Sequence, residues 1–407
     1  MTGRRRPFPA PARVLPDEDA ADLLELTREI GEAELAPRAA EAEERAATAH
    51  EYPRDTYRLL GKSGLLGLPY PEELGGGGRP YTVYLQVVEE LARSWASIAM
   101  GVSVHVLACN AVATAGTREQ QERWLPDLLG GELLAGYCLS EHESGSDAAA
   151  MRTRAERSGE GAEAGYRLHG TKAWITHGGM GDVYTVFART SPRPESGQGP
   201  SGSGISAFLV PGDAPGLSAA APERKMGFDA SRTSQVLLDD VRVGADRLLG
   251  AEGDGFTIAK RALDAGRLGI AAVAVGVAQA ALEDAVAYAK DRRQFGRAII
   301  DNQGLGWLLA DMATAVTASR ALYLEAARLL DAGDEPDRVR ATASMAKTFC
   351  TDSAVRVTTD AVQVLGGAGY VRDHRAERLM REAKLLQIVE GTNQVQRVVV
   401  AGALARS

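Results

Sequence analysis

Ile388-Val389-Glu390-Gly391-Thr392-Asn393-Gln394 separates two helix-patterned runs near the C-terminus. Before it, Leu379, Ala383 and Leu386 recur at i, i+4 and i+7, one face of a helix. Gly391 suits a helix stop, because glycine tolerates the left-handed conformation found there. Thr392 reads as the N-cap of a second segment whose apolar residues include Val395, Val398 and Val399. This places Glu390 on a short, well-fixed corner between two helices. A carboxylate held there among apolar neighbours is raised in pKa by desolvation, which suits a general base near neutral pH. Taken alone, an acid beside a glycine at a helix end reads first as a surface residue.

Working outward, the chain is helical, then β, then helical. Residues 270–289 are almost wholly apolar or Ala-rich, as in a helix buried on several sides. Residues 303–330 and 338–364 follow, and long helices of this kind suggest a four-helix bundle. Near the start, residues 22–47 are acidic and helix-patterned, Pro53 opens another helix, and residues 81–93 form a third. Residues 74–78, Leu-Gly-Gly-Gly-Gly, read as a turn. Between 133 and 243 the character changes to short β-rich runs at 137–139, 173–176, 183–188, 205–210 and 235–238. The expected class is α+β, mainly α: a disordered lead-in (1–16), a helical domain (17–132), a small β-sheet or barrel domain (133–245) and a C-terminal four-helix bundle (246–407). Residues 191–204, rich in Pro, Gly and Ser, are expected to be a mobile loop.

The totals exclude several classes. At 407 residues there is room for two or three domains with ample core. A formal charge of -8 and a pI near 5.5 argue against nucleic acid as a main partner. Cys109, Cys138 and Cys350 are widely spaced without a CxxC pair, which reads as reduced thiols in a cytoplasmic protein. No apolar run approaches the roughly 20 residues of a spanning helix, so no membrane is expected. The start carries Arg4-Arg5-Arg6 but no apolar stretch of the signal-peptide kind. The six histidines show no ligand spacing, so no metal is expected. Gly61-Lys62-Ser63 lacks the glycine a phosphate loop needs at position 56, which is Thr56. Gly366-Gly367-Ala368-Gly369 follows no strand and is not a βαβ dinucleotide fingerprint.

Four further segments surround the β region: Tyr137-Cys-Leu-Ser-Glu-His-Glu-Ser-Gly-Ser-Asp147, Trp174-Ile-Thr176, Arg292-Arg-Gln-Phe-Gly296 and Gln363-Val-Leu-Gly-Gly367. With the Glu390 corner, they make the chain resemble the acyl-CoA dehydrogenase family over essentially its whole length after the lead-in, most closely the short-chain and short-branched-chain members. By residue type alone, Trp174 reads as a core aromatic and Arg292 as a solvated helix-end cation.

The resemblance implies FAD as cofactor. Tyr137, Ser140, Ser146, Trp174 and Thr176 would face the flavin and its pyrophosphate, the hydroxyls serving as donors to the ring edge. Arg292, Phe295 and Gln303 would hold the ADP half, a fixed cation suiting a pyrophosphate. Gln363, Gly366 and Gly367 would close on the same cofactor from a neighbouring subunit, which implies at least a dimer and, as the family usually is, a homotetramer. Thr392 and Gln394 complete the cofactor set. Ser146, Asp264, Arg267 and Gly391 match substrate-contacting positions. Glu390 would take the α-proton of an acyl-CoA while the β-hydrogen leaves as hydride to the flavin, giving a trans-2-enoyl thioester. Electrons would pass to an electron-transferring flavoprotein. Some relatives carry the base immediately before the arginine matching Arg267; that residue here is Gly266, so Glu390 is the only candidate at either place.

Two departures stand out. His142-Glu143-Ser144 replaces the Pro-Gly-Ala usual after the glutamate matching Glu141, and Val389 replaces a tyrosine common before the base, which would widen the acyl pocket. Alternatives within the fold are an oxygen-using flavoenzyme (oxidase or monooxygenase) or a dehydrogenase of carrier-protein-bound acyl groups. A cofactor-free helical scaffold would leave the flavin-facing set unexplained.

Overall fold

Residues 11, 13–161, 164–193 and 202–406 are described by the computed structural model. Its helices are α1 (Glu18–Ile30), α2 (Ala36–Ala49), α3 (Arg54–Lys62), α4 (Tyr81–Ser94), α5 (Ala96–Ala115), α6 (Arg118–Leu129), α7 (Gly255–Asp291), α8 (Gln303–Asp331), α9 (Pro336–Leu365), α10 (Gly367–Tyr370), α11 (Ala376–Leu386) and α12 (Asn393–Arg406). The strands of the main sheet are β1 (Ala135–Cys138), β2 (Arg154–Ser158), β3 (Gly165–Thr176), β4 (Val183–Arg189), β5 (Ile205–Pro211), β6 (Leu217–Ala219), β7 (Thr233–Gly244) and β8 (Leu248–Leu249). Contacts divide the chain into two compact units: residues 1–40, 81–99 and 267–407, and residues 41–80 and 100–266.

The second unit is built on the sheet, ordered β6-β7-β3-β2-β4-β5-β8, with β1 added parallel to β4. Along β7, buried and more exposed residues alternate over most of its length, the period of a sheet with one wet face. All of β4 and nearly all of β5 are instead buried, which is why they read as continuous apolar runs. Tyr166, Ile175, Tyr184, Phe208, Val236 and Val241 fill the core between them. Strands β2 and β6 went unread in the sequence. One is largely charged and the other has three residues, and both are fixed by pairing with β3 and β7 rather than by their own pattern. The long strand β3 slips register against β7 twice, between Leu168 and Gly170 and between Lys172 and Ile175. Such bulges re-aim side chains, and the second one turns Trp174 outward.

The first unit is helical. The run expected over 22–47 is broken by one π-helical turn, Gly31–Leu35, between α1 and α2. Glu89 of α4 is fully buried and accepts from Arg320 Nε (3.0 Å) and the Tyr323 hydroxyl of α8. Arg320 also donates to Gln279 Oε1 of α7 at 2.8 Å. Arg13 reaches Glu89 at 3.0 Å, and Val14 exchanges backbone bonds with the Gln86 side chain at 2.8 and 2.7 Å. The end of the expected disordered lead-in is therefore docked; most of the rest of it, and residues 194–201 of the expected mobile loop, lie outside the described residues.

A second correction concerns apolar length. Helices α5 and α7 are each long and apolar enough, by composition, to cross a bilayer, but both are mostly buried within the protein. Polar residues such as His105, Asn110 and Gln279 break the runs by eye while leaving the average hydropathy high.

Helices α4 and α7 approach so closely at Gly276 that a Cβ there would lie 2.3 Å from the Glu89 carbonyl oxygen and 2.6 Å from the Ala92 Cβ. A backbone carbonyl cannot swing away as a side chain can. Gly276→Ala should therefore destabilise by about 1–3 kcal/mol despite alanine's better helix propensity. Thermal unfolding checks this, and an unchanged midpoint would contradict the close approach.

Candidate active site

Helix α11 stops at Leu386, earlier than Gly391. The chain then turns through residues 387–391, with Ile388 and Val389 N–H groups both donating to the Leu385 carbonyl (2.8 and 3.2 Å). The left-handed conformation falls on two successive residues, Glu390 (φ 55°) and Gly391 (φ 84°). For Gly391 this is free, but for glutamate it costs on the order of 1–2 kcal/mol. Side chains hold it in place. Gln396 Nε2 donates to the carbonyls of Glu390 (3.0 Å) and Gly391 (2.9 Å), and Lys347 Nζ donates to the Gly391 carbonyl (2.9 Å) and Asn393 Oδ1 (2.9 Å). Thr392 is the N-cap of α12, its hydroxyl accepting from Val395 N–H at 3.3 Å.

Glu390 as a residue is half-buried, yet its Oε2 is fully buried and has no hydrogen-bond partner among the described residues. The carboxyl, not the whole side chain, decides its chemistry. Desolvation pushes its pKa up to about 7, and the positive charges of Arg267 on α7 and Lys347 on α9 pull the other way. Burial also pushes the Lys347 ammonium down to about 8, against Glu390 and Asp352. A carboxylate half-ionised near neutral pH, with an unused acceptor oxygen, is equipped to take a proton. Lys347 is fully buried and was not read from the sequence.

In the sheet unit, the Ala173 N–H donates to the Ser140 carbonyl (2.9 Å), which lays the end of β1 beside the end of β3. Ser140 and Thr176 are half-buried there. Trp174, at φ 62°, leaves 56% of its surface exposed, so it is no core aromatic. Tyr137 is buried. Behind this edge, fully buried Lys172 donates to Leu139 O (3.0 Å) and Glu141 Oε1 (2.9 Å). Glu141 also accepts from the backbone of Arg152 (2.7 Å) and Thr153 (3.0 Å). Burial alone would raise Glu141, but Lys172 and these donors outweigh it and hold the carboxyl below its ordinary range. The departure at 142–144 sits on this fastened loop: Glu141 and Ser144 exchange backbone bonds at 3.1 Å, and His142 meets Trp174 edge-on at 5.7 Å between ring centroids. Ser146 lies exposed farther along it.

Of the remaining expected residues, Arg267 acts on Glu390 through its charge. Asp264 and Arg267 lie three apart on α7, half-buried and buried respectively. Arg292, Phe295 and Gln303 are exposed at the α7–α8 connection, where Arg293–Gln294 and Arg297–Ala298 pair as a small hairpin. Phe295 is 96% exposed with φ 51°. Gln363, Gly366 and Gly367 are exposed at the end of α9, and Gln394 is exposed on α12.

An uncovered indole beside two hydroxyls fits one face and the polar edge of a flat heteroaromatic ring such as a flavin. An exposed phenyl ring with a neighbouring arginine suits an adenine and a phosphate.

Three family models match the chain. The one described as acyl-CoA dehydrogenase, N-terminal domain, matches residues 17–132, the middle domain matches 136–241 and the C-terminal domain 253–405. An acyl-CoA dehydrogenase of Bacillus subtilis is 43% identical over 385 residues, covering 93% of this chain and 96% of its own. The solved butyryl-CoA dehydrogenase of Megasphaera elsdenii is 38% identical with a TM-score of 0.90, over 97% of this chain and all (100%) of that one. A solved chain described under the electron transferring flavoprotein of Acidaminococcus fermentans is 39% identical with a TM-score of 0.90, at the same coverage (97% and 100%).

The desolvated carboxyl has a cost that pH reveals. A group whose native pKa lies above its unfolded value leaves stability intact at low pH and removes it as pH rises from about 4.5 through about 7. Glu390→Gln does not titrate, so its melting temperature relative to the parent should climb across that window and level off above it. The gain is at most of order 3 kcal/mol, since the residue keeps some solvent contact. Parallel pH-dependent melts would show a flat difference if the carboxyl were ordinary.

Proposed function

Because the chain belongs to the acyl-CoA dehydrogenase family and is an FAD-dependent oxidoreductase, we propose that it converts a short acyl-CoA to the trans-2-enoyl-CoA with Glu390 as the base. The observation that carries this reading is the buried Oε2 of Glu390, without a hydrogen-bond partner among the described residues, on a corner fixed by Lys347 and Gln396.

The α-proton of the thioester passes to the Glu390 carboxylate, and the electron pair it leaves forms the Cα=Cβ bond. When bound, FAD supplies the acceptor for the hydride that departs from Cβ. The Glu390 N–H, carried on the same corner, is a donor for the thioester carbonyl as it gains negative charge, an interaction typically worth about 3 kcal/mol. Arg267 raises the proportion of ionised Glu390 by proximity of charge. On the sheet unit, Trp174, Ser140 and Thr176 would hold the isoalloxazine, with Tyr137 and Ser146 also on the cofactor. Arg292, Phe295 and Gln303 would take the ADP half. Gln363, Gly366 and Gly367, exposed in one chain, would meet the cofactor of the next in a homotetramer, and Thr392 and Gln394 would complete its surroundings. Asp264, Arg267, Ser146 and Gly391 contact the substrate. Electrons leave to an electron-transferring flavoprotein, in the cytoplasm. The likeness to butyryl-CoA dehydrogenase favours short acyl chains, and Val389 in place of a larger side chain favours some tolerance of branching or length.

Anaerobic absorbance of the purified yellow protein tests this, before and after butyryl-CoA, isovaleryl-CoA or octanoyl-CoA. Bleaching by butyryl-CoA or isovaleryl-CoA is expected; bleaching by none would remove the substrate assignment. Glu390→Gln should keep FAD and acyl-CoA binding yet lose roughly 10²- to 10⁴-fold in the bleaching rate. In the parent enzyme, kcat/KM should rise with pH and level off above about 7, because only ionised Glu390 accepts the proton. A pH-independent kcat/KM between 5.5 and 8.5 would contradict the assignment of Glu390.

A further inference from the structure

A lysine in the middle of a helix normally extends to water, and Lys347 does not. It lies on the stripe of α9 that carries Ala343, Ala346, Cys350 and Ala354, all buried, and its own exposure is 0%. A fully buried ammonium is costly unless its protons are satisfied. Two go to the Gly391 carbonyl and to Asn393 Oδ1, both at 2.9 Å and both on the corner that carries Glu390. Asn393 is itself buried and is fixed from its other end, donating to Thr351 Oγ1 (2.9 Å) and Asp352 Oδ1 (2.7 Å). Gln387, at the start of the corner, donates to the same Asp352 oxygen at 2.7 Å, and Arg397 of α12 donates to its other oxygen at 2.9 Å. Asp352 of α9 thus holds both ends of the 387–397 segment, and Lys347, earlier on the same helix, holds its middle at Gly391 and Asn393.

We propose that Lys347 is a positioning residue for proton abstraction: it clamps the left-handed Glu390–Gly391 corner through the Gly391 carbonyl and Asn393, and its charge sets the pH at which Glu390 becomes a base. This rests on the reading of Glu390 as the base. The geometry separates two duties. The hydrogen bonds aim the carboxyl, whereas the charge acts on it through space, because Lys347 spends the donors described here on the backbone and Asn393 and not on the carboxylate. The charged groups facing Glu390 are Lys347 from α9 and Arg267 from α7; those facing Lys347 are Glu390, Arg267 and Asp352. Arg267 stays in place when Lys347 is replaced, so the base keeps one cation and only part of its tuning is lost.

The experiment compares Lys347→Met, Lys347→Arg and Asn393→Leu as FAD-loaded enzymes, following anaerobic flavin bleaching by butyryl-CoA from pH 5.5 to 9.5. Lys347→Met should move the acid limb upward by about one unit, so that a roughly tenfold deficit near pH 6.5 shrinks at high pH. Lys347→Arg should restore the limb to its parental position. Asn393→Leu should lower the rate at every pH without moving the limb. Equal loss at all pH values in Lys347→Met would overturn the charge role and leave a merely structural lysine. Should Lys347→Met fail to fold, the parent protein suffices: the Glu390 carboxyl, labelled with ¹³C and assigned by its absence in Glu390→Gln, is titrated by NMR without substrate. A second inflection as Lys347 loses its proton supports the proposal, and a single independent titration overturns it. Failure of the base assignment would show differently, as full bleaching activity in Glu390→Gln.

Discussion

A carboxylate proposed to take a proton from carbon must be kept from water, and in the helical unit that constraint falls on Glu390. In water a glutamate is too weak a base near neutral pH, and burial is the lever that raises it. Burial of a charge is tolerated only where opposite charge is near, and Arg267 and Lys347 meet that need without hydrogen-bonding away the reactive oxygen. To place those cations, α7 and α9 must both pass the corner between α11 and α12. The buried network of Glu89, Arg320, Gln279 and Tyr323 ties α4, α7 and α8 of the same unit together, so the helix that carries Arg267 is anchored at Gln279.

Among the described residues two fully buried lysines, Lys172 and Lys347, lie near a glutamate, and they do opposite things. In the sheet unit, Lys172 bonds Glu141 directly at 2.9 Å, and two backbone N–H groups complete the carboxylate. That carboxyl is held below its ordinary pKa and serves as a fastener for the loop from 141 to 153. Lys347 instead donates to a carbonyl and an amide, leaving Glu390 raised and its Oε2 open. Residue type does not distinguish the two. What distinguishes them is where the donors go, because hydrogen bonds to the ionised form lower a carboxyl while desolvation raises it.

This difference also marks the limit of what the sequence reveals. The long helices α7, α8 and α9 were legible because apolar periodicity persists over many turns. Strands β4 and β5 were legible as short apolar runs, whereas β2, with the sequence RAERS, carries no such pattern and exists through its partner. Glu390 was legible through its glycine and the helix patterns on either side. Its own left-handed backbone was not, since glycine next to it suggested that the turn would fall there alone. Lys172 and Lys347 were not read from the sequence, although each lies on a buried stripe: Lys172 shares the parity of Tyr166 and Leu168, and Lys347 the spacing of Ala343 and Cys350. A cation on an apolar stripe is the signal that would have found them. Trp174 was misleading in the opposite sense, because a bulge, invisible to period counting, turns it out of the core.

Strain and desolvation at the corner fall on the same residue, and the surrounding bonds explain why the fold tolerates both. Glu390 takes a conformation that disfavours any side chain and carries a carboxyl that disfavours burial. Against this stand Gln396, buried and bonded to both corner carbonyls, and Lys347 and Asn393, bonded to each other and to α9. Each bond contributes only about 1 kcal/mol net, yet every one would leave a buried polar group unsatisfied if the corner relaxed. The relaxed corner is therefore more costly than the strained one. Precision at a reactive carboxyl is usually limited by the groups behind it. Here those groups are side chains of two helices, α9 and α12, rather than of a loop, so the aim of Glu390 is as rigid as the helix pair that holds it.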